Sequence, residues 1–245
     1  MKKLLQTGVL VLTGLLGAEA QAQENASNPL AAVNNTDIRY QSFDLDGSSR
    51  QDAYIDGAYM LTPNLKLKYE LHYNWTDVTG DQESGVEKAS LKLISFPSQR
   101  MLNETWGVKT AVGLEWIIDA GNADKGIGTG SDQLAPLVGL AFANTNTGLS
   151  LIPLVQHYAS YNGDADISQT AMRLIALQPF ADDYWAKLDL KVPYDWTNDA
   201  WPATAEIQLG YNVNSRLALY ADLMAGLGDD RPYERGAGLG IRFLY

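Results

Sequence analysis

The feature that most constrains this chain is a strict alternation of apolar and polar residues over twelve positions. Leu65, Leu67, Tyr69, Leu71, Tyr73 and Trp75 fall on one face of Leu65–Thr76, and Lys66, Lys68, Glu70, His72, Asn74 and Thr76 on the other. Only a β-strand sorts side chains with a period of two, since a helix repeats every 3.6 residues. The pattern recurs. Ala186, Leu188, Leu190, Val192 and Tyr194 oppose Lys187, Asp189 and Lys191, and Ala205, Ile207, Leu209 and Tyr211 oppose Thr204, Glu206, Gln208 and Asn212. Val108–Trp116 and Ala237–Tyr245 alternate in the same way. Twelve strands are predicted: 37–45, 51–61, 65–77, 86–96, 106–118, 134–144, 148–159, 167–178, 184–195, 203–213, 216–227 and 235–245. The phase of the seventh is unclear, and Pro153 removes a ladder donor there, which predicts a bulge.

Alternation alone fits both a soluble sandwich or lipocalin-like barrel and a membrane barrel, which is the same pattern turned inside out. Three features favour the membrane. Aromatic residues gather towards strand ends: Tyr73, Trp75, Trp116, Tyr194 and Trp196 at one end, and Tyr59, Phe96, Trp106, Phe142, Trp185, Tyr211, Phe243 and Tyr245 at the other. This is the placement of interfacial girdles. The strand count is even and the lengths suit a tilted crossing of the hydrocarbon layer. The chain also stops on Gly240-Ile241-Arg242-Phe243-Leu244-Tyr245, alternating residues that end on an aromatic. That terminus resembles the signal read by the barrel-assembly machinery, although Gly238 stands where a polar residue is usual and Tyr where Phe is commonest. Connections follow the same logic. Thr62–Asn64, Asn144–Thr147, Ala181–Asp183 and Asn214–Arg216 are short turns, with Pro97–Glu104 a longer exception. The alternate connections, such as Asp77–Gly85 and Gly121–Gln133, are longer and more acidic.

Composition then excludes whole classes. A hydrophobic fraction of 46% hides the lipid-facing belt because no internal run reaches the length of a membrane helix. A net charge of −11 provides no basic stripe for nucleic acid. The absence of cysteine excludes a disulfide scaffold, a thiolate zinc site and a thiol nucleophile. Lys2 and Lys3, an apolar stretch over Leu4–Leu16, and Ala20-Gln21-Ala22 make a signal peptide over 1–22. Losing Lys2, Lys3 and Glu19 takes the charge to −12. A periplasmic N-terminal segment, 23–36, and a single antiparallel outer-membrane β-barrel, 37–245, are expected to follow, with both termini periplasmic.

If apolar faces meet lipid, the polar faces line the interior. The expected lumen residues are Arg39, Asp56, Lys66, Lys68, Glu70, His72, Lys88, Lys92, Lys109, Glu115, Asp119, Arg173, Lys187, Asp189, Lys191, Glu206, Asp222 and Arg242. Ten cations against seven anions, besides His72, make a mixed, mildly positive lining. Such a lining suits either a narrow channel for small polar or anionic solutes, of sugar-acid or nucleoside size, or a barrel closed by its own ion pairs. A closed structural barrel working through acidic outer loops, and a membrane-embedded lipid hydrolase, are the alternatives. For the hydrolase only His72 and His157 could act as base, and neither has a serine beside it in sequence. No catalytic residue, cofactor or metal site is expected. The acidic loops match no EF-hand spacing, and Gly126–Gly130 reads as a flexible or lumen-folded loop. The expected partners are outer-membrane lipid, lipopolysaccharide, the assembly machinery and small solutes, and the acidic loops read first as a solvated, mutually repelling surface.

Four stretches also resemble a family: Asn28–Arg39, Leu61–Tyr73, Gly126–Gln133 and Pro153–Tyr158. They resemble uncharacterised Gram-negative outer-membrane proteins usually described as transporters, similar to barrels associated with phenol meta-pathway degradation. The resemblance covers the mature chain. It implies an outer-membrane barrel and a hydrophobic compound as cargo, and it carries no catalytic residue.

Overall fold

The computed structural model describes residues 25–245, and the signal peptide expected over 1–22 lies outside them. Twelve strands follow in order: β1 (Asn35–Leu45), β2 (Ser48–Thr62), β3 (Leu65–Thr76), β4 (Glu83–Met101), β5 (Trp106–Asp119), β6 (Ser131–Asn144), β7 (Ser150–Gly163), β8 (Ser168–Phe180), β9 (Tyr184–Asp195), β10 (Ala203–Asn214), β11 (Leu217–Leu227) and β12 (Arg235–Leu244). Each pairs antiparallel with its sequence neighbours, and β1 pairs with β12 from Asn35↔Leu244 to Asp44↔Arg235, closing the barrel. Closure removes the sheet edges, the one arrangement in which strands can span lipid with every ladder group satisfied.

The faces sort as a membrane demands. Leu71, Tyr73, Leu91, Leu93, Leu114, Trp116, Leu174, Leu188, Leu209, Leu223 and Leu239 stand exposed on the outer wall, while Lys66, His72, Asn74, Glu115, Lys187, Gln208 and Arg242 are buried within. A continuous apolar exterior around a polar interior places the protein in an outer membrane. Two aromatics depart from the expected girdle. Phe96 and Trp185 are 5% and 1% exposed and point inward, because they share a face with Lys92 and Lys187 respectively.

The connections separate the two ends. Turns at the end bearing Asn35 and Leu244 are all short. β4 runs on to Met101 because a bulge between Ser95 and Ser98 absorbs Phe96 and Pro97. The expected long connection over 97–104 therefore shrinks to Leu102–Thr105. At the other end most loops are longer, but residues 164–167 between β7 and β8 are as short as Leu102–Thr105, and Asp46 and Gly47, both at positive φ, join β1 to β2. Two consecutive positive-φ residues match the twist of the flanking strands, the reason Asp-Gly favours two-residue hairpins. The bulge expected at Pro153 is not there. β7 holds its register with β8 through Pro153↔Leu174, and its register with β6 shifts only between Asp132 and Gln133. The missing N–H interrupts the β6 ladder without inserting a residue.

Residues 25–34 do not hang outside the wall. They fold into the barrel at the short-turn end as consecutive turns, with Asn28 N donating to Asn25 O and Ala31 N to Asn28 O. Leu30 lies in an interior apolar cluster with Ile94, Phe96, Ala111, Ala141, Ile152, Leu154 and Ile175.

Candidate functional site

Because β-strands project alternate side chains inward, the interior is built from the twelve polar faces and the N-terminal segment. At its floor, Lys66 Nζ donates to the carbonyls of Pro29 (3.2 Å) and Ala31 (2.7 Å), clasping the segment around Leu30. Ser27 Oγ donates to Gln208 Oε1 at 2.7 Å and accepts from Arg242 Nη1 at 2.8 Å. Arg242 faces Asp37 in register and pairs with it at 2.7 Å, while Tyr220 Oη and Asn35 Nδ2 also donate to that carboxylate at 2.8 Å. Gln208 passes a hydrogen bond on to Asp222 at 2.8 Å. Lys109 sits over the Phe96 ring, 5.2 Å from its centroid.

Above this floor the wall carries ion pairs. Lys92 meets Glu115 at 2.8 Å, and Ser90 and Gln156 donate to the same carboxylate. Lys187 meets Glu206 at 2.6 Å, Arg173 forms a bidentate pair with Asp189, and Arg39 lies 3.4 Å from Asp56. Lys68 approaches Glu70 at 3.9 Å, and His72 Nδ1 is 2.8 Å from Asp52 Oδ2. These partners sit on the same or adjacent strands. Pairing therefore runs along the wall rather than across the lumen, and a cavity of about 820 Å³ remains between them. Arg39, Asp56, Lys66, Lys68, Glu70, His72, Lys88, Lys92, Glu115, Asp119, Arg173, Lys187, Lys191, Glu206 and Arg242 all line it. Asp189 and Asp222 lie behind Arg173 and Gln208, and Lys109 against Phe96. Lys88 and Lys191 make no direct ion pair among the described residues, and Lys191 instead faces the Tyr158 ring at 5.5 Å. A smaller cavity of about 330 Å³ opens at the short-turn end, and Ala26 and Arg242 line both cavities.

The mouth at the long-loop end is shaped by residues 120–130. Asp119 accepts from the backbone of Gly121, Thr129 and Gly130, which draws the loop inward until Ile127 is buried and Gly128 and Thr129 line the cavity. That is the lumen-folded of the two forms expected for the glycine-rich loop.

The structure also brings in residues that the sequence reading passed over. Asp37, Asp52 and Tyr54 share the inward face of Arg39 or Asp56, so alternation already marked them. Glu87 carried no such mark: a bulge between His72 and Tyr73 lets Glu87 face inward beside Lys88. Tyr220, Arg39, Tyr54 and His72 stack in a row, with Arg39 over both tyrosines (4.9 and 5.5 Å) and Tyr54 stacked on His72 at 4.4 Å. His157 lies outside this interior. It shares the outward parity of Val155 and is hydrogen-bonded to Thr170 at 2.9 Å. Among the described residues nothing orients its other ring nitrogen, so the pair lacks the third group of a hydrolytic triad.

No family model matches the chain, and no curated protein matches it in sequence. Solved structures do match. An outer membrane channel of the COG4313 group from Pseudomonas putida F1 superposes with a TM-score of 0.62 at 12% identity, over 92% of this chain and 98% of that one. The NanC porin gives 0.61 at 11% identity over 86% and 98%, and the KdgM porin 0.52 at 12% over 86% and 99%. The shared feature is the porin-like outer-membrane barrel.

Proposed function

We propose that the protein is a narrow outer-membrane channel for small polar or anionic solutes, of sugar-acid or nucleoside size. The observation that carries this reading is the direction of the ion pairs: they follow the wall and leave a charged cavity of about 820 Å³ that runs from the long-loop mouth to the N-terminal segment. A barrel closed by its own charges would pair them across the lumen. Charged linings select by field and by replacement of hydration; Asp37, Asp52 and Glu87 bring the inward anions level with the ten cations expected there, and Lys88 and Lys191, without direct ion pairs, are the cations left to meet a solute. Ala26, Ser27 and Arg242 form the constriction, since two of them line both cavities. The three neighbours described as channels or porins support the reading at the level of architecture. The hydrophobic cargo implied by the phenol meta-pathway resemblance fits this charged lining poorly. In the same reading, the short-turn end faces the periplasm, Gly240–Tyr245 engages the assembly machinery, and the acidic loops meet lipopolysaccharide.

Planar-bilayer recording of the refolded protein tests this. Discrete conductance steps with a reversal potential favouring anions are expected, and the preference should fall in the double variant Lys88→Met/Lys191→Met. Silence at every voltage, in protein shown to be folded, would sink the channel reading and favour a structural barrel.

A further inference from the structure

Towards the long-loop end of the wall, three neighbouring strands converge on one histidine. His72 of β3 has its Nδ1 2.8 Å from Asp52 Oδ2 on β2 and 3.9 Å from Glu87 Oε2 on β4. One donor atom from each residue lies within 4.8 Å of the other two. A zinc ion with bonds of about 2.0–2.2 Å holds its donors roughly 3–4 Å apart, so a shared ion needs the His72–Asp52 contact to open slightly and the Glu87 carboxylate to draw in. Glu87 reaches this position only through the bulge in the β3–β4 pairing.

A second observation points the same way. Asp52 Oδ1 is buried and lacks any hydrogen-bond partner, on a residue that is 8% exposed, whereas His72 Nε2 has the Glu70 carboxylate 3.5 Å away. Buried polar atoms left unsatisfied are costly, and one recognised reason for them is an ion. His72 and Glu87 face the cavity, which provides a path in. Tyr54, stacked on the imidazole, holds its plane.

We propose that Asp52, His72 and Glu87 bind one borderline divalent cation, Zn²⁺ foremost, in the wall of the lumen. Two carboxylates and a neutral imidazole balance the charge of the ion. Lys88 lies opposite His72 in register and weakens any cation held by charge alone. The site therefore disfavours Mg²⁺ and Ca²⁺, which take oxygen ligands, and retains metals that bond to imidazole nitrogen. Sequence spacing could not reveal it, because each ligand comes from a different strand.

The test is calorimetric titration of refolded, chelator-treated protein with Zn²⁺, Mg²⁺ and Ca²⁺, folding being checked by faster migration of the unheated sample on a denaturing gel. One Zn²⁺ per chain is expected, undisturbed by excess Mg²⁺. His72→Gln and Glu87→Gln should each weaken it at least about tenfold, His157→Gln should not, and Lys88→Met should tighten it. Zinc binding that survives His72→Gln, or an absence of saturable binding, overturns the proposal, the former assigning the ion to the acidic loops. Should the variants fail to fold, diethylpyrocarbonate labelling of the unaltered protein decides. Zn²⁺ should slow modification of His72 and not of His157, and equal rates overturn the site. None of these readouts depends on whether the barrel conducts.

Discussion

Asp37 and Arg242 show how the floor of the barrel is tied together. The carboxylate is fully buried, and its oxygens are taken by Arg242, Tyr220 and Asn35. Arg242 in turn reaches the N-terminal segment through Ser27. A buried pair adds little over an apolar substitute, but removing one partner strands the other as an uncompensated charge. Asp37→Asn and Arg242→Met are therefore each expected to destabilise the barrel by about 3–5 kcal/mol, read from urea unfolding in a lipid bilayer. The joint variant should cost clearly less than the sum of the two. Strict additivity would show that the residues do not act as a pair. Beside this pair, Trp185, Gly210, Tyr220 and Gly240 form one row across four strands. A Cβ on Gly210 or Gly240 would sit 2.0 or 2.2 Å from the Trp185 or Tyr220 ring, so glycine is what lets the aromatics lie flat on the inner wall. This residue scale was only partly legible in sequence. The lumen cations and most of the anions follow from alternation. Asp37 and Asp52 lay on marked faces and were passed over, whereas Glu87 depended on a bulge that one strand read alone does not disclose.

At the scale of elements, period two made the twelve strands readable, because lipid outside and polar groups inside leave each strand no freedom of phase. The segment before β1 was not readable as a plug. It is short, polar and aperiodic, and its partners lie far away in sequence: Lys66 is 35 residues from Ala31, and Gln208 is 181 from Ser27. Its hold on the lumen is nonetheless specific. Leu30 is 1% exposed in its apolar pocket, and two of its neighbouring carbonyls share the Lys66 amine. Deleting residues 25–33 should enlarge the single-channel conductance, because the constriction at Ala26 and Ser27 goes with it. Leu30→Asp should act in the same direction more weakly, by making the pocket costly to occupy. Conductance unchanged by the deletion would mean that the limiting section lies elsewhere, at the loop drawn in by Asp119.

At the scale of the whole molecule, the deciding property is that the barrel is apolar outside and polar within. A soluble barrel of the same topology would tolerate a charge on its outer wall anywhere along a strand. In lipid the penalty depends on depth, because only near the headgroups can a long cationic side chain reach water. β11 offers both depths on one outward face. Leu223 lies near its middle and is 66% exposed, while Leu227 ends it at the long-loop side, 37% exposed. Leu223→Arg is expected to lower stability by about 2–4 kcal/mol, and Leu227→Arg by about 0–1 kcal/mol. The comparison is made by reversible urea unfolding of both variants in phosphatidylcholine bilayers. Neither position packs against the interior, so cavity creation cannot mimic the effect. Equal and small losses at both sites would mean that the exposed leucines do not meet hydrocarbon, and the membrane assignment would fall with them.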